Sequence, residues 1–181
     1  MTTRDLTAIA LFAALTAALA IVPPITIPVL AVPVTAQTLG VMLAGSILGA
    51  KRGGLAILLL LALVAVGLPV LAGGRGGLSV FAGPTAGFLL AWPLGAFVIG
   101  LLTERVYARL GHVSSFLINL VGGVVVIYAL GIAWLIVGFG VAPQTAIAGS
   151  AAFVPGDLIK AGIAAIVAVR VRQAYPMIAR A

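Results

Sequence analysis

The stretch VSSFLINLVGGVVVIYALGIAWLIVGFGVAPQTAIAGSAAFVPG, residues 113–156, contains no charged side chain. A second uncharged stretch covers residues 6–50. Each is longer than the roughly 20 apolar residues that cross a bilayer as one helix, so each must contain more than one element. The chain of 181 residues is 64% hydrophobic and 7% charged, with a mean hydropathy of +1.35. Because an ordinary soluble domain is about 25% charged, the sequence predicts an integral membrane protein.

The apolar runs are continuous, which favours helices over a barrel, because barrel strands alternate over about ten residues. Prolines divide the first uncharged stretch, since proline stops or kinks a helix. They are Pro23, Pro24, Pro28 and Pro33. We therefore predict an all-α integral membrane protein, a bundle of six transmembrane helices that forms a single domain over residues 1–181. The helices are expected at about residues 6–22, 35–50, 53–72, 84–103, 115–140 and 155–172, with an irregular outer segment at residues 143–155.

Basic residues are distributed unequally between the loops of this topology. Six spans place both termini on one side of the membrane, where eight basic residues also lie, and only Arg75 lies in a loop on the other side. Cytoplasmic loops carry an excess of lysine and arginine, so both termini are expected to be cytoplasmic. The eight residues are Arg4, Lys51, Arg52, Arg105, Arg109, Arg170, Arg172 and Arg180.

The composition excludes several classes of function. The net charge of +7 does not indicate nucleic-acid binding, because the basic residues lie between apolar runs and form no stripe. With no cysteine and one histidine, neither a disulfide nor a transition-metal site is expected. The sequence GSILGAKR at residues 45–52 lacks the Gly-Lys-Ser/Thr ending of a phosphate loop. We therefore expect no enzyme, no cofactor, no metal and no nucleic-acid partner.

Asp157 lies in an apolar helix with Lys160 three residues further on, a spacing that places both side chains on one helical face. Charges at membrane depth are costly and usually face a cavity or a partner. Two interpretations follow: a structural ion pair, or a polar ligand site. Arg75 is expected at the same outer side, and the three charges sum to +1, which would complement a monoanionic ligand. For Arg75 alone, a solvated loop charge is an equal alternative.

Polar residues also begin two other helices on the outer side. Gln37 could exchange hydrogen bonds with a ligand or join two helices. Thr85 lies in the segment Gly83-Pro84-Thr85-Ala86-Gly87, where the start of a helix offers free N–H groups. Trp92 and Trp134 are expected to be packing or interface residues rather than ligand stackers.

Small residues recur at four-residue spacing on the first helix, at Ala10, Ala14 and Ala18 and again at Ala13 and Ala17. Small faces let membrane helices approach closely. The pattern fits internal packing and a docking face for another membrane subunit equally well.

Three segments resemble motifs of the BioY family. VPVTAQTL at residues 32–39 resembles the opening of that family's second helix, and GPTAGF at residues 83–88 resembles its Gly-Pro-Thr-Gly-Gly-Tyr motif. FVPGDLIK at residues 153–160 resembles its sixth-helix signature, and the three segments keep the family's order. Ala86 replaces a usual glycine and Phe88 a usual tyrosine, so only stacking or packing can be expected of Phe88.

BioY proteins are the substrate-binding components (S components) of energy-coupling-factor (ECF) transporters. The resemblance implies a multi-pass protein of the bacterial cytoplasmic membrane that binds biotin with high affinity for uptake. It implies that Asp157 and Lys160 belong to the ligand site. With biotin as the ligand, Asp157 can accept its ureido N–H groups and Lys160 and Arg75 can face its carboxylate, and Gln37, Thr85 and Phe88 are further candidate site residues. It also implies a coupling membrane subunit and two ATPase subunits as partners, with Ala10, Ala14 and Ala18 docking the coupling subunit.

Two other functions stay open at this point. The chain could be an S component for another vitamin. It could instead be a stand-alone transporter that uses Asp157 as a proton-coupling carboxylate. The sequence also leaves open whether the chain works alone, as a homo-oligomer or only within a larger complex.

Overall fold

The computed structural model describes residues 1–27 and 32–178. Pro28 and Arg180, which enter the predictions above, lie outside these residues. The described chain is mostly helical, with one short hairpin. The helices are α1 (Thr3–Ala18), α2 (Gln37–Leu48), α3 (Ala50–Ala65), α4 (Ala86–Val106), α5 (His112–Leu120), α6 (Ile127–Phe139), α7 (Pro143–Ala151) and α8 (Val154–Ala174), and the strands are β1 (Ile25–Ile27) and β2 (Val32–Val34).

Three helical segments are long and apolar enough to cross a membrane: Thr3–Ile21, Ala86–Arg109 and His112–Phe139. The last joins α5 to α6 through a π-helical segment, Val121–Val126. Helices α7 and α8 pass the same test only together, with a bend of 48° between them. The predicted helical membrane protein is confirmed at this level, whereas the count of six transmembrane helices stays a prediction. Helix α2, at 12 residues, rises only about 18 Å against a hydrocarbon core of about 30 Å.

The all-α prediction is wrong between α1 and α2. Strand β1 pairs with β2 in antiparallel register, with Ile25 opposite Val34, Thr26 opposite Pro33 and Ile27 opposite Val32. Proline indicated a helix break here, but it is also compatible with the edge of a two-stranded ribbon, where its missing N–H is not needed. Because Val32 is buried, this hairpin is part of the packed structure.

The irregular segment predicted at residues 143–155 is also wrong for most of its length, since α7 occupies Pro143–Ala151. Pro143 begins this helix, a position where the absent N–H of proline costs nothing. Pro155 lies in the first turn of α8 for the same reason. Pro143, which indicated irregular backbone, therefore begins a helix, and Pro155 begins one as predicted for residues 155–172.

Glycines allow the central helices to cross at close range. A Cβ added to Gly100 on α4 would lie 2.2 Å from the backbone nitrogen of Ala50, and one added to Gly45 on α2 would lie 2.5 Å from the carbonyl oxygen of Ala96. Glu104 on α4 accepts a hydrogen bond of 2.8 Å from the Ala50 N–H and so caps α3. The short helices α2 and α3 are thereby held against α4.

The two ends of the chain meet at Arg52, near the start of α3. Its guanidinium lies 3.0 Å from the Asp5 carboxylate and donates a hydrogen bond of 2.6 Å to the Met177 carbonyl. Nearby, the guanidinium of Arg4 lies over the ring of Tyr175, 4.8 Å from its centre. We call this end of the bundle, defined by Asp5, Arg52 and Met177, the Arg52 end.

Candidate functional site

A cavity lies at the other end of the bundle, between the hairpin, the loop after α3 and the first turns of α2, α4 and α8. Its empty space, including the open mouth, is about 560 Å³. The structure brings all six predicted ligand residues to its walls, namely Gln37, Arg75, Thr85, Phe88, Asp157 and Lys160.

The carboxylate of Asp157 is the centre of a hydrogen-bond cluster in this cavity. Its Oδ1 accepts from the ammonium of Lys160 at 2.7 Å and from the hydroxyl of Thr38 at 3.2 Å. Its Oδ2 accepts from the hydroxyl of Tyr128 at 2.5 Å. Lys160 also donates to the Thr38 hydroxyl at 3.0 Å. Asp157 is only 3% exposed, so these donors replace water around a charge that would otherwise be costly to bury.

This cluster leaves specific hydrogen-bonding capacity for a ligand. An ionised carboxylate has about four acceptor sites and an ammonium has three donors. Three of the acceptor sites on Asp157 and two of the donors on Lys160 are used by side chains of the described chain. The remaining acceptor site is on Oδ2, which takes one hydrogen bond, and the remaining donor is on the Lys160 ammonium, so the pair can offer one acceptor and one donor to a polar ligand.

Gln37 lines the cavity, but its amide is engaged within the protein. Its Nε2 donates to the carbonyl oxygens of Thr16 at 3.1 Å and Val70 at 3.0 Å, and its Oε1 accepts from the Ala72 N–H at 2.9 Å. The side chain therefore ties the start of α2 to α1 and to the loop that carries Arg75. This geometry favours the joining interpretation of Gln37 over direct contact with a ligand.

Arg75 lies at the end of a tight turn in that loop. Leu71 and Arg75 exchange two backbone hydrogen bonds, of 3.1 and 3.2 Å, around Gly73 and Gly74, whose φ values are +78° and +69°. These left-handed conformations favour glycine. The Arg75 Nε donates to the Ala72 carbonyl at 3.3 Å, and within the described residues the two terminal nitrogens have no partner. Desolvation lowers the pKa of Arg75 from its ordinary value, but an arginine stays positive at neutral pH.

Aromatic rings form the apolar wall beside the carboxylate. Phe88, Tyr128 and Phe153 pack edge to face, with each pair of ring centres 6.3 Å apart. Such pairs contribute about 0.5–1.5 kcal/mol each beyond their buried area. Trp92, expected to be a packing residue, also lines the cavity. Trp134 packs instead against Gly87 and donates from its indole nitrogen to the Gly83 carbonyl at 3.2 Å.

The small-residue positions of α1 separate into two faces. Ala13 is 2% exposed and packs in the core, whereas Ala10, Ala14 and Ala18 are exposed. Large apolar neighbours on the same helix, Leu11 and Leu15, are exposed as well. Of the two interpretations, internal packing applies to Ala13, and the three alanines predicted to dock a partner are accessible to one.

Sequence analysis missed Thr38 and Tyr128 as site residues. Tyr128 carries the only hydroxyl group between residues 116 and 144, and that isolation within an apolar span is the signal that could have identified it. Thr38 is one residue from Gln37, and its role depends on a contact with α8, 119 residues away. Nothing in its neighbouring sequence distinguishes Thr38 from any other polar residue at the start of a helix.

Comparisons with known proteins show the family of this chain. The model of the BioY family matches residues 1–177. A protein named biotin transporter BioY from Rhizobium etli is 53% identical over 98% of each chain. Another of that name, from Rhodobacter capsulatus, is 48% identical over 96% of this chain and 95% of its own.

A solved structure shares the fold as well. It is described as a crystal structure at 2.1 Å of the S-component for biotin from an ECF-type ABC transporter. It matches with a TM-score of 0.90 and 33% sequence identity, over 96% of this chain and 95% of that chain. The family model alone covers nearly the whole chain, and the chain therefore belongs to the BioY family.

Proposed function

We propose that this chain binds biotin with high affinity and serves as the substrate-binding component of an ECF-type importer. The observation that carries the proposal is the buried Asp157–Lys160 pair, which lies in the wall of the cavity with one acceptor and one donor left for a ligand. Membership of the BioY family and the likeness to relatives named biotin transporters support the choice of biotin among vitamins.

In this proposal the Asp157–Lys160 pair contacts the ureido ring. A ureido group carries N–H donors beside a carbonyl oxygen, which matches the free acceptor of Asp157 and the free donor of Lys160. Because the Lys160 ammonium lies 2.7 Å from Asp157, the two side chains cannot reach opposite ends of an extended ligand. This assignment differs from the expectation that Lys160 faces the carboxylate.

Arg75 is then the cation for the biotin carboxylate. Its terminal guanidinium nitrogens point to no partner in the described residues, and a guanidinium can bind a carboxylate through two parallel hydrogen bonds. Phe88, with Tyr128 and Phe153, offers an apolar wall for the alkyl chain and sulfur ring between the two polar ends. The Thr85 hydroxyl lines the same cavity, and Gln37 positions the loop of Arg75.

We further propose six membrane-crossing segments in a single substrate-binding domain over residues 1–181. They are α1, α2, α3, α4, the joined α5 and α6, and the bent pair α7 and α8. Helix α2 begins at the cavity with Gln37 and ends near Arg52, and α3 returns from Arg52 towards Arg75. Helices α2 and α3 therefore run in opposite directions, which supports counting each of them as one membrane crossing. Asp5 and Met177, near the two ends of the described residues, lie at the Arg52 end, which the excess of basic residues assigns to the cytoplasm of a bacterium.

The partners proposed are a coupling membrane subunit, docked on Ala10, Ala14 and Ala18, and two ATPase subunits. Ala10, Ala14 and Ala18 are small and exposed, which supports this role, because small residues let a second helix approach closely. A homo-oligomer would use the same face and would compete with the coupling subunit.

Equilibrium titration of the purified protein with biotin, thiamine and riboflavin tests the function. We expect biotin alone to bind. Binding of another vitamin in place of biotin would indicate an S component of different specificity. Proton-dependent uptake in cells that lack ATPase partners would favour the stand-alone transporter. If the folded double variant Asp157→Leu/Lys160→Met binds biotin like the parent, the proposed site is wrong.

A further inference from the structure

A groove on the outside of the bundle runs between α3 and α4 and shares no residue with the biotin cavity. Its volume is about 450 Å³. Lys51 lies at one end, Gly54 at the floor, and Leu58, Pro93, Leu94 and Phe97 along its length. The rims are large apolar side chains with exposed fractions of 51% for Leu58, 47% for Leu94 and 42% for Phe97.

The shape of this groove fits a single hydrocarbon chain better than a protein helix. A helix is about 10 Å across and docks in membranes on small residues, as the alanine face of α1 offers. Here the rims are leucines and a phenylalanine, and the floor is one glycine. From Lys51 to Leu61 the groove follows ten residues of α3, about 15 Å at 1.5 Å per residue. That length is half of a hydrocarbon core of about 30 Å, which is the depth of one leaflet.

Lys51 places a positive charge where the groove reaches the Arg52 end. The adjacent Arg52 is engaged by Asp5 and the Met177 carbonyl. In contrast, the Lys51 ammonium has no hydrogen bond or ion pair with any residue in the described ranges, and its residue is exposed. Basic pockets beside membrane helices on the cytoplasmic side attract anionic lipid head groups.

We propose that this groove binds one acyl chain of an anionic phospholipid, with the lipid phosphate on Lys51. The apolar rims hold the chain by dispersion and shape, and Lys51 selects the head group by charge. The site does not depend on biotin binding, because it shares no residue with the ligand cavity.

A larger residue at a glycine of α3 would fill the groove, and this makes the proposal testable. A Cβ at Gly54 would meet the Pro93 carbonyl oxygen at 3.5 Å and the Phe97 Cβ at 3.6 Å, which are ordinary contacts. A Cβ at the neighbouring Gly53 would lie 2.7 Å from the Ala44 carbonyl oxygen, so Gly53 cannot be used. Gly162 on α8 has nothing within 4 Å of such a Cβ and offers a matched glycine away from the groove.

Native mass spectrometry of the purified protein, with dioleoyl phosphatidylglycerol or dioleoyl phosphatidylcholine added, counts the lipids retained. The parent should retain one phosphatidylglycerol with about a fivefold preference. Lys51→Gln should remove the preference but keep the bound lipid, and Gly54→Leu should reduce both lipids. Arg109→Gln and Gly162→Leu should behave like the parent. Biotin titration confirms that every variant is folded, and Gly54→Ala replaces Gly54→Leu if the latter fails this check.

Equal retention of the two lipids by the parent would overturn the proposal, as would an unchanged lipid count in the folded Gly54 variant. Loss of preference in Arg109→Gln equal to that in Lys51→Gln would mean that general surface charge is responsible. If the Lys51 and Gly54 variants lose the coupling subunit instead, with lipid retention unchanged, the groove is a protein interface and the lipid proposal is wrong.

Discussion

Asp157 receives hydrogen bonds from three helices, through Thr38 on α2, Tyr128 on α6 and Lys160 on α8. Lys160 shares α8 with the carboxylate, but Thr38 and Tyr128 can interact with it only if α2 and α6 are correctly placed against α8. The carboxylate therefore joins the ligand site to the packing of the bundle, and changes to it should affect binding more than a single lost contact at the surface would.

We expect Asp157→Asn to weaken biotin binding while the protein still folds. The amide keeps the size of the side chain but loses the charged acceptor, and a hydrogen bond to a charged group is worth on the order of 1.5–3 kcal/mol. Affinity should fall roughly tenfold to hundredfold, measured by equilibrium titration. Asp5→Asn is the matched control, because Asp5 also pairs with a cation but lies at the Arg52 end. Equal losses in both variants would refute a local role for Asp157.

Titrations of the parent and of variants with biotin and with neutral biotin amide distinguish the role of Arg75 from that of Lys160. If Arg75 binds the carboxylate, Arg75→Gln should weaken biotin binding roughly tenfold or more and leave binding of neutral biotin amide nearly unchanged. Lys160→Met should weaken both ligands to a similar extent, because the ureido ring is the same in each. For each variant, four titrations (parent and variant, each with biotin and with the amide) give the coupling energy between the side chain and the ligand carboxylate, which checks this. A coupling that appears with Lys160 and is absent with Arg75 would reverse the proposed assignment.

Two of the four residues in this cluster, Asp157 and Lys160, were predicted from the sequence, whereas Thr38 and Tyr128 were not. Asp157 and Lys160 are three residues apart on one helix, so their pairing followed from helical geometry alone. Thr38 and Tyr128 reach Asp157 across 119 and 29 residues, and such contacts depend on how helices pack. For the same reason the three hydrogen bonds that Gln37 makes to distant backbone could not be read from its neighbours.

At the scale of elements, α1 presents one alanine face to the core and another to its surroundings. We expect Ala14→Leu to weaken co-purification with the coupling subunit while biotin binding stays close to that of the parent, because Ala14 is exposed. Ala13→Leu is the contrasting variant, since Ala13 is 2% exposed and overpacking of a core costs about 1–3 kcal/mol. Thermal unfolding should detect that loss in Ala13→Leu only.

If Ala14→Leu loses stability and biotin binding together, the outer face of α1 packs inside the protein or an oligomer of it. In that case the proposed docking role would have to be abandoned. Ala18→Leu repeats the measurement one turn further along the same exposed face.

Elements were predictable where hydrophobic runs are long, and less so where prolines cluster. The helices around residues 3–18, 86–106 and 154–174 follow from apolar runs bounded by charges or proline. The β1–β2 hairpin and α7 were missed because proline was interpreted as a breaker, whereas it lies at a ribbon edge in β2 and at the first turn in α7.

At the scale of the whole molecule, the chain's lack of cysteine makes its topology directly measurable. Single cysteines at exposed positions can be labelled in intact cells with a membrane-impermeant maleimide. If the Arg52 end is cytoplasmic, Thr3→Cys and Gln173→Cys should react only after the cells are permeabilised. Gln144→Cys, at the start of α7, should react in intact cells. Labelling of Gln173→Cys in intact cells would contradict the proposed orientation.

The distribution of the site along the chain has a consequence for the order of biosynthesis. Gln37, Thr38, Arg75, Thr85 and Phe88 are made early, and Asp157 and Lys160 belong to α8, which leaves the ribosome after all the other described helices. Because those two charges neutralise one another within one helix, they can enter the bilayer as a pair, after the helices that carry Thr38 and Tyr128 have been made. Biotin can therefore stabilise only chains in which α8 has been made, so the vitamin gives no assistance to shorter nascent chains and protects from degradation only molecules that contain α8.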